Sequence, residues 1–314
     1  MTHHLTRLGT LAVIALALSA CSSTGPATSS APASSAAPSS ATSTAAPSTS
    51  TAAPATSTSA PVTTSTSSTS PAVTLVVPGA LTVCTNPPFP PLEDVDAQGN
   101  VVGFDLDLMG LVANRLGVKL SIIQADFSQI TSGAVFAAKK CDLGASGITI
   151  TDARKQAVTF SRPYFSATQA LAVKTDSGIT GLDGLKGKTV AVQTDTTGAD
   201  YANNNKDQYG YSVMVFDDAG TALNSLLSGR AQAAIVDKAV VYAFVAANQT
   251  TKVATEFQTG ELYGFDAMGN DANAAALIGI VNDVLAQAEA DGSYLKIYQK
   301  WIDPLATAAP LPPA

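Results

Sequence analysis

Beyond about residue 73 the chain alternates short apolar runs with longer stretches whose apolar positions follow helical spacing. Short apolar runs bounded by turn formers predict buried strands, and the 3.6-residue period predicts helices lying on a sheet. Strands are expected at 81–85, 119–124, 142–147, 170–174, 189–193, 211–216 and 233–236. Helices are expected at 105–116, ended by Gly117, at 130–140, and from near Ala153 with Thr151 or Asp152 as cap. Others should open at Asp195-Thr196-Thr197-Gly198 and run over 221–228, 239–247, 272–291 and 294–301. Turns fall at 96–100 and 181–187, and the whole rhythm is that of an α/β layer architecture.

The first 72 residues break this pattern. Arg7 and an apolar run from Leu8 to Leu18 fit an export signal over residues 1–20, too short to span a bilayer comfortably. It ends in Leu18-Ser19-Ala20-Cys21, which resembles a bacterial lipobox and makes Cys21 the expected acylated first residue of the mature chain. An ordinary signal peptide is the alternative. Two acyl chains suffice for stable attachment to a membrane. Residues 21–73 are Ser, Thr, Ala and Pro almost throughout and cannot bury a core, so they predict a tether with a reach of roughly 40 Å as a flexible coil.

Arg7 is the only charged residue before position 73, which leaves 16 basic and 24 acidic side chains in the remainder. That balance argues against nucleic acid and anionic membrane surfaces as partners. The only histidines are His3 and His4, inside the expected signal, so the mature chain has no imidazole for a Ser-His-Asp or Cys-His centre or for most catalytic zinc sites. No phosphate-loop, dinucleotide or paired-cysteine motif occurs, and neither cofactor nor metal is expected.

Three expected strand-to-helix junctions carry polar or charged groups where open α/β sheets place ligands: Ser146 to Arg154, Gln193 to Gly198, and Asp237. Together they offer one cation, one anion and a helix N-terminus, which is what the backbone of a free amino acid requires. The fork of Arg154 and the N–H groups at Thr197-Gly198 suit a carboxylate, and Asp237 suits an ammonium. Taken singly, Arg154 reads as a solvated charge, Asp237 as a helix cap, Phe89 as core, and Asn86 and Gln193 as strand-end polar residues.

Phe89-Pro90-Pro91-Leu92-Glu93, Gly103-Phe104-Asp105-Leu106-Asp107-Leu108, Gly147-Ile148-Thr149-Ile150-Thr151-Asp152 with Arg154, and Pro163-Tyr164 follow one another in an order and spacing that resemble the polar-amino-acid-binding family of ABC transporters, the bacterial extracellular solute-binding proteins of family 3. The stretches 185–193, Thr196-Thr197-Gly198 and Gly292-Ser293-Tyr294 extend the resemblance over 75–302. It implies a periplasmic-binding-protein type II fold, two α/β lobes joined by a two-strand hinge near 164–169 and 261–264. Lobe one would comprise 74–168 and 263–304, lobe two 169–262, with a tail at 305–314. It also implies a monomer that closes on a free amino acid and docks on an ABC permease, with no covalent chemistry. Carried over by position, Arg154 clasps the ligand carboxylate and Asp237 its ammonium, with Ser146, Gly147, Thr149, Thr196 and the Thr197 N–H beside them. Phe89 walls the aliphatic part, and Asn86, Glu93 and Gln193 line the side-chain pocket. The family usually has Gly where Asp195 stands; Asp195 either caps the helix or points inward and adds negative charge.

Export would place Cys84 and Cys141 in an oxidising setting, so a disulfide is possible. Cys84 falls near the end of its expected strand and Cys141 before its own, which strains the short separation a disulfide needs; two buried thiols are the alternative. Two other functions fit the same residues: an amino-acid-sensing lipoprotein, and a dehydratase with Glu93 as its acid or base.

Overall fold

The computed structural model describes residues 73–310 and 312; the expected signal segment, Cys21 and tether up to residue 72 lie outside the described residues. In chain order, β1 (Ala80–Thr85), the hairpin β2 (Asp94–Val95) and β3 (Val101–Val102), α1 (Phe104–Leu116) and β4 (Lys119–Gln124) come first. Next are α2 (Phe127–Thr131), α3 (Ala134–Ala137), β5 (Leu143–Gly144) and β6 (Val158–Phe160). The long β7 (Phe165–Lys174) leads to β8 (Thr189–Gln193), α4 (Thr197–Tyr209), β9 (Ser212–Phe216), α5 (Ala219–Ser228), β10 (Ala233–Asp237), α6 (Lys238–Ala247) and β11 (Thr251–Tyr263). The described chain closes with β12 (Asp266–Met268), α7 (Ala272–Asp291) and α8 (Ser293–Trp301).

Two five-stranded sheets result, ordered β4-β1-β5-β12-β6 and β11-β7-β10-β8-β9, so the first lobe draws on both ends of the described chain and the second on its middle. In each lobe one strand has parallel neighbours on both sides: β1 lies between β4 and β5, and β8 between β9 and β10. Successive strands that part to opposite sides open a crevice at their carboxyl ends, the usual ligand position of open α/β sheets. At the edge of the second sheet β7 and β11 run antiparallel, with Phe165 opposite Tyr263 and Ala167 opposite Glu261 before an irregularity shifts the register.

The first lobe is built on aromatic burial. Phe104, on the inner face of α1, meets Tyr164, Phe165, Tyr294 and Tyr298, and Tyr164 stacks on Phe265 with ring centroids 4.1 Å apart. Such pairs add about 0.5–1.5 kcal/mol each beyond their buried area. In the second lobe, Leu171, Val190, Val192 and Ile235 form a buried aliphatic layer between the sheet and Leu185, Ala199 and Ala202.

Several expected elements change shape. The helix expected over 130–140 is broken, because Gly133 takes the left-handed region at φ 77° where the chain turns against Ala157 and Val158. Only Leu143–Gly144 of the strand expected over 142–147 pairs with β1; beyond it the backbone leaves the sheet and reaches φ 52° at Gly147. From Ala153 there is a single 3-10 turn, Arg154–Gln156, with Thr151 Oγ accepting from the Arg154 N–H at 3.2 Å. Of β11, the sequence suggested only the last residues: the stretch before them is polar and half-buried, and it forms a sheet edge with no apolar run to announce it.

Cys84 and Cys141 are joined by a disulfide with Cα atoms 5.8 Å apart. The separation is short because Cys141 is not in line with β5. It lies in the turn leaving α3 and shares one apolar cluster with Cys84, Phe127, Ile130 and Val135. Among the described residues no helix is long and apolar enough to cross a membrane.

Candidate functional site

The carboxyl ends of β1, β5, β8 and β10 face one narrow cavity with a free volume of about 10 Å³. Its wall holds Asn86, Phe89, Ser146, Gly147, Thr149 and Arg154 from the first lobe and Gln193, Thr196, Thr197 and Asp237 from the second. These are all of the residues singled out from the sequence for ligand contact except Glu93. Phe127 completes the wall and was missed, although it follows β4 at a fourth junction of the same kind.

Arg154 is aimed by backbone carbonyls. Its Nη1 donates to Thr149 O and its Nη2 to Asp195 O, each at 2.8 Å, and its guanidinium lies over the Phe127 ring at 5.1 Å. A guanidinium has five donors, so three remain after these two bonds. Burial draws its pKa down from the ordinary value, opposed by Asp266, Asp237, Glu261 and Asp200. No carboxylate lies within ion-pair distance of it among the described residues.

The Asp195 carbonyl reaches Arg154 because Asp195 sits in the left-handed region at φ 56°. Asp195 is therefore neither the helix cap nor an inward charge: its place is in a surface groove with Ser128, Gln129 and Asp200. Thr196 caps α4, its Oγ accepting from the Ala199 N–H at 3.0 Å. The N–H groups of Thr197 and Gly198 make no hydrogen bond among the described residues, as expected of the first turn of a helix, where the end dipole favours an anion. A Cβ on Gly198 would meet Gln169 Oε1 at 2.8 Å, so the glycine lets the helix end approach β7 closely.

Asp237 ends β10 but makes no side-chain cap to α6. Its Oδ1 accepts from Tyr263 OH at 2.6 Å and Gln169 Nε2 at 3.0 Å, and Oδ2 has no such bond among the described residues. Burial, with Glu261 next, pushes its pKa up to about 7. Gly147 is held against this corner: its N–H donates to Asp105 Oδ2 at 2.9 Å, and a Cβ would meet Phe89 Cε1 at 2.7 Å. Asp105, also bonded by Tyr164 OH, is raised by burial to about 7.

Glu93 does not line the cavity. It is fully buried behind Ser146, whose Oγ donates to it, and burial followed by the nearby Asp105 raises its pKa well above the carboxylate range. Leu92 and Glu93 fold inward because Phe89 and Glu93 form a bridge that turns the chain back before α1. Three further residues around the site were not anticipated. Gln169 and Tyr263 orient Asp237, and Glu261 accepts from Thr149 Oγ at 2.8 Å and Thr197 Oγ at 2.6 Å, one from each lobe. Glu261 and Tyr263 fall inside a stretch read only as a crossing, which gave no sign of side-chain direction.

Two α/β lobes, linked by long strands and sharing a cavity lined from both sides, define a binding protein of the periplasmic type II class. The chain belongs to the bacterial extracellular solute-binding proteins, family 3, whose model matches residues 81–304. Among curated proteins it is 29% identical to "ABC transporter arginine-binding protein 1" of Escherichia coli (strain K12), over 68% of this chain and 86% of that one. Among solved structures it is similar to an ancestral arginine-binding protein bound to arginine (38% identical, TM-score 0.66, 71% of this chain and 98% of that one). An ancestral arginine-binding protein bound to glutamine is similar to it to nearly the same degree (37%, TM-score 0.66, 72% and 99%).

Proposed function

We propose that this protein binds a free polar amino acid between its lobes and delivers it to the permease of an ABC importer, while a lipid on Cys21 and the tether 21–73 hold it at the outer face of the cell membrane as a monomer. In this reading lobe one is 74–168 with 263–304, lobe two is 169–262, and β7 and β11 form the hinge between them, with 305–314 as a tail. The ligand carboxylate lies between the free donors of Arg154 and the N–H groups of Thr197 and Gly198; its ammonium meets Asp237. Phe89 and Phe127 flank its aliphatic part.

The observation that carries the reading is that Arg154 and Asp237, from different lobes, are the charged residues on the wall of one cavity. Isolated buried charges are costly, and a zwitterion pairs both. The amino-acid-binding names of the relatives support the same ligand class. A dehydratase would need its acid or base in contact with substrate, and Glu93, the candidate that the sequence offered, is buried behind Ser146.

Calorimetric titration with the twenty amino acids tests the proposal. At least one should bind, and Arg154→Ala should weaken it by at least ~3 kcal/mol, since a buried carboxylate would lose its partner. Unchanged affinity in that variant would remove Arg154 from the site. Uptake measured after deletion of the permease separates transport from sensing.

A further inference from the structure

We infer that the site selects an amino acid whose side chain is an uncharged carboxamide, of the glutamine or asparagine kind, over one with a cationic or anionic side chain. This rests on the reading of the cavity as an amino-acid site and adds the chemistry of the side-chain end.

The first ground is charge balance. Among the described residues the cavity wall carries one positive and one negative group, Arg154 and Asp237, and the backbone of a zwitterion uses both. A third ligand charge would meet no opposite partner on the wall. Asp195 and Asp200 belong to the surface groove on the far side of Arg154, Glu93 is sealed behind Ser146, and Glu261, outside the wall, is engaged by the Thr149 and Thr197 hydroxyls. Burial favours the neutral form of Glu93, so it supplies no counter-charge from behind. A buried unpaired charge is disfavoured more strongly than a neutral polar group that finds hydrogen-bond partners.

The second ground is the pattern of donors and acceptors left by Asn86 and Gln193. Asn86 Nδ2 donates to the Ala125 carbonyl at 2.9 Å, and Gln193 Nε2 donates to the Asp217 carbonyl at 3.2 Å. Carbonyls only accept, so these bonds fix which end of each amide carries nitrogen. Gln193 Nε2 also donates to Asn86 Oδ1 at 2.8 Å, a bond from one lobe to the other. An amide nitrogen has two protons. Both protons of Gln193 are thus spent, and its Oε1 remains as an acceptor with no hydrogen bond among the described residues. Asn86 keeps its second Nδ2 proton.

One free acceptor and one free donor, carried by two wall amides joined by a hydrogen bond and both uncharged, match a carboxamide, which offers one of each. An ammonium or guanidinium side chain would match the acceptor and face the donor unfavourably. A carboxylate would do the reverse, and an aliphatic side chain would leave both amides unpaired inside a closed cavity.

The test is calorimetry on the purified full chain with L-glutamine, L-asparagine, L-arginine, L-lysine and L-glutamate. Glutamine or asparagine should bind at least ten-fold more tightly than the other three. Arginine, lysine or glutamate binding as tightly or more tightly would overturn the inference and leave the amino-acid site standing; failure of all twenty amino acids to bind would overturn both. In Asn86→Asp, which exchanges the free donor for a carboxylate, the ratio of arginine to glutamine affinity should rise at least ten-fold. An unchanged ratio would count against the assignment, and because it compares two ligands on one protein it is insensitive to partial loss of folded material.

Discussion

Asp195 holds a conformation that L-residues other than Asn and Asp seldom enter, and its carbonyl is what steadies Arg154 from the opposite lobe. Glycine at this position would keep the carbonyl in place and lose the Cβ clash, so Asp195→Gly should stabilise the domain by about 0.5–1 kcal/mol, less what its freer unfolded chain costs. Urea unfolding would register this as a higher midpoint at constant slope, and a lower midpoint would mean that the side chain contributes a bond of its own. At this scale the sequence was informative wherever a residue stood directly at a strand end: ten of the cavity-lining positions were legible from junctions and motif order. It was uninformative about depth. Glu93 lies in the same loop as Phe89, and only the bridge between them sends one side chain to the cavity and the other behind Ser146.

At the scale of elements, periodicity located α1, β4, β8, α7 and α8 to within a residue or two, because each has an apolar face long enough to display its repeat. Elements of two or three residues, such as β5, β6 and β12, are defined by partners distant in sequence and carry no local repeat. The disulfide belongs to this group, since its two cysteines meet through the turn after α3 and not through strand register. It closes a loop of 57 residues. Constraint of the unfolded chain by such a loop is worth about 2–4 kcal/mol, so the double variant Cys84→Ser with Cys141→Ser should unfold at lower temperature by roughly that free energy. A melting curve identical to that of the parent chain would show that the reduced form is equally stable. Ligand affinity should change little, because the pair lies behind Phe127 and outside the cavity wall.

At the scale of the molecule, four carboxyl groups among the described residues, Glu93, Asp105, Asp237 and Asp266, are buried and raised by that burial. A carboxyl whose pKa is higher folded than unfolded holds its proton longer in the folded state. The stability it lends is complete below the unfolded value and is lost as pH rises toward the folded one. For Asp105 and Asp237, raised to about 7, that window runs from roughly pH 4 to pH 7. The protein free of ligand should therefore be more stable at about pH 5.5 than at about pH 8, by on the order of 2 kcal/mol for each of these groups. Asp237→Asn should remove one such contribution, and a flat stability profile in the parent would show that these groups ionise normally. Ligand binding should run the other way: an ammonium favours ionised Asp237, so binding near pH 6 should release a proton, read as a dependence of binding enthalpy on buffer. The carboxylate of Glu261 has a different consequence. Because hydroxyls of Thr149 and Thr197, one from each lobe, donate to it, this single side chain acts as a rivet across the cleft, and parting the lobes has to break at least one of those bonds.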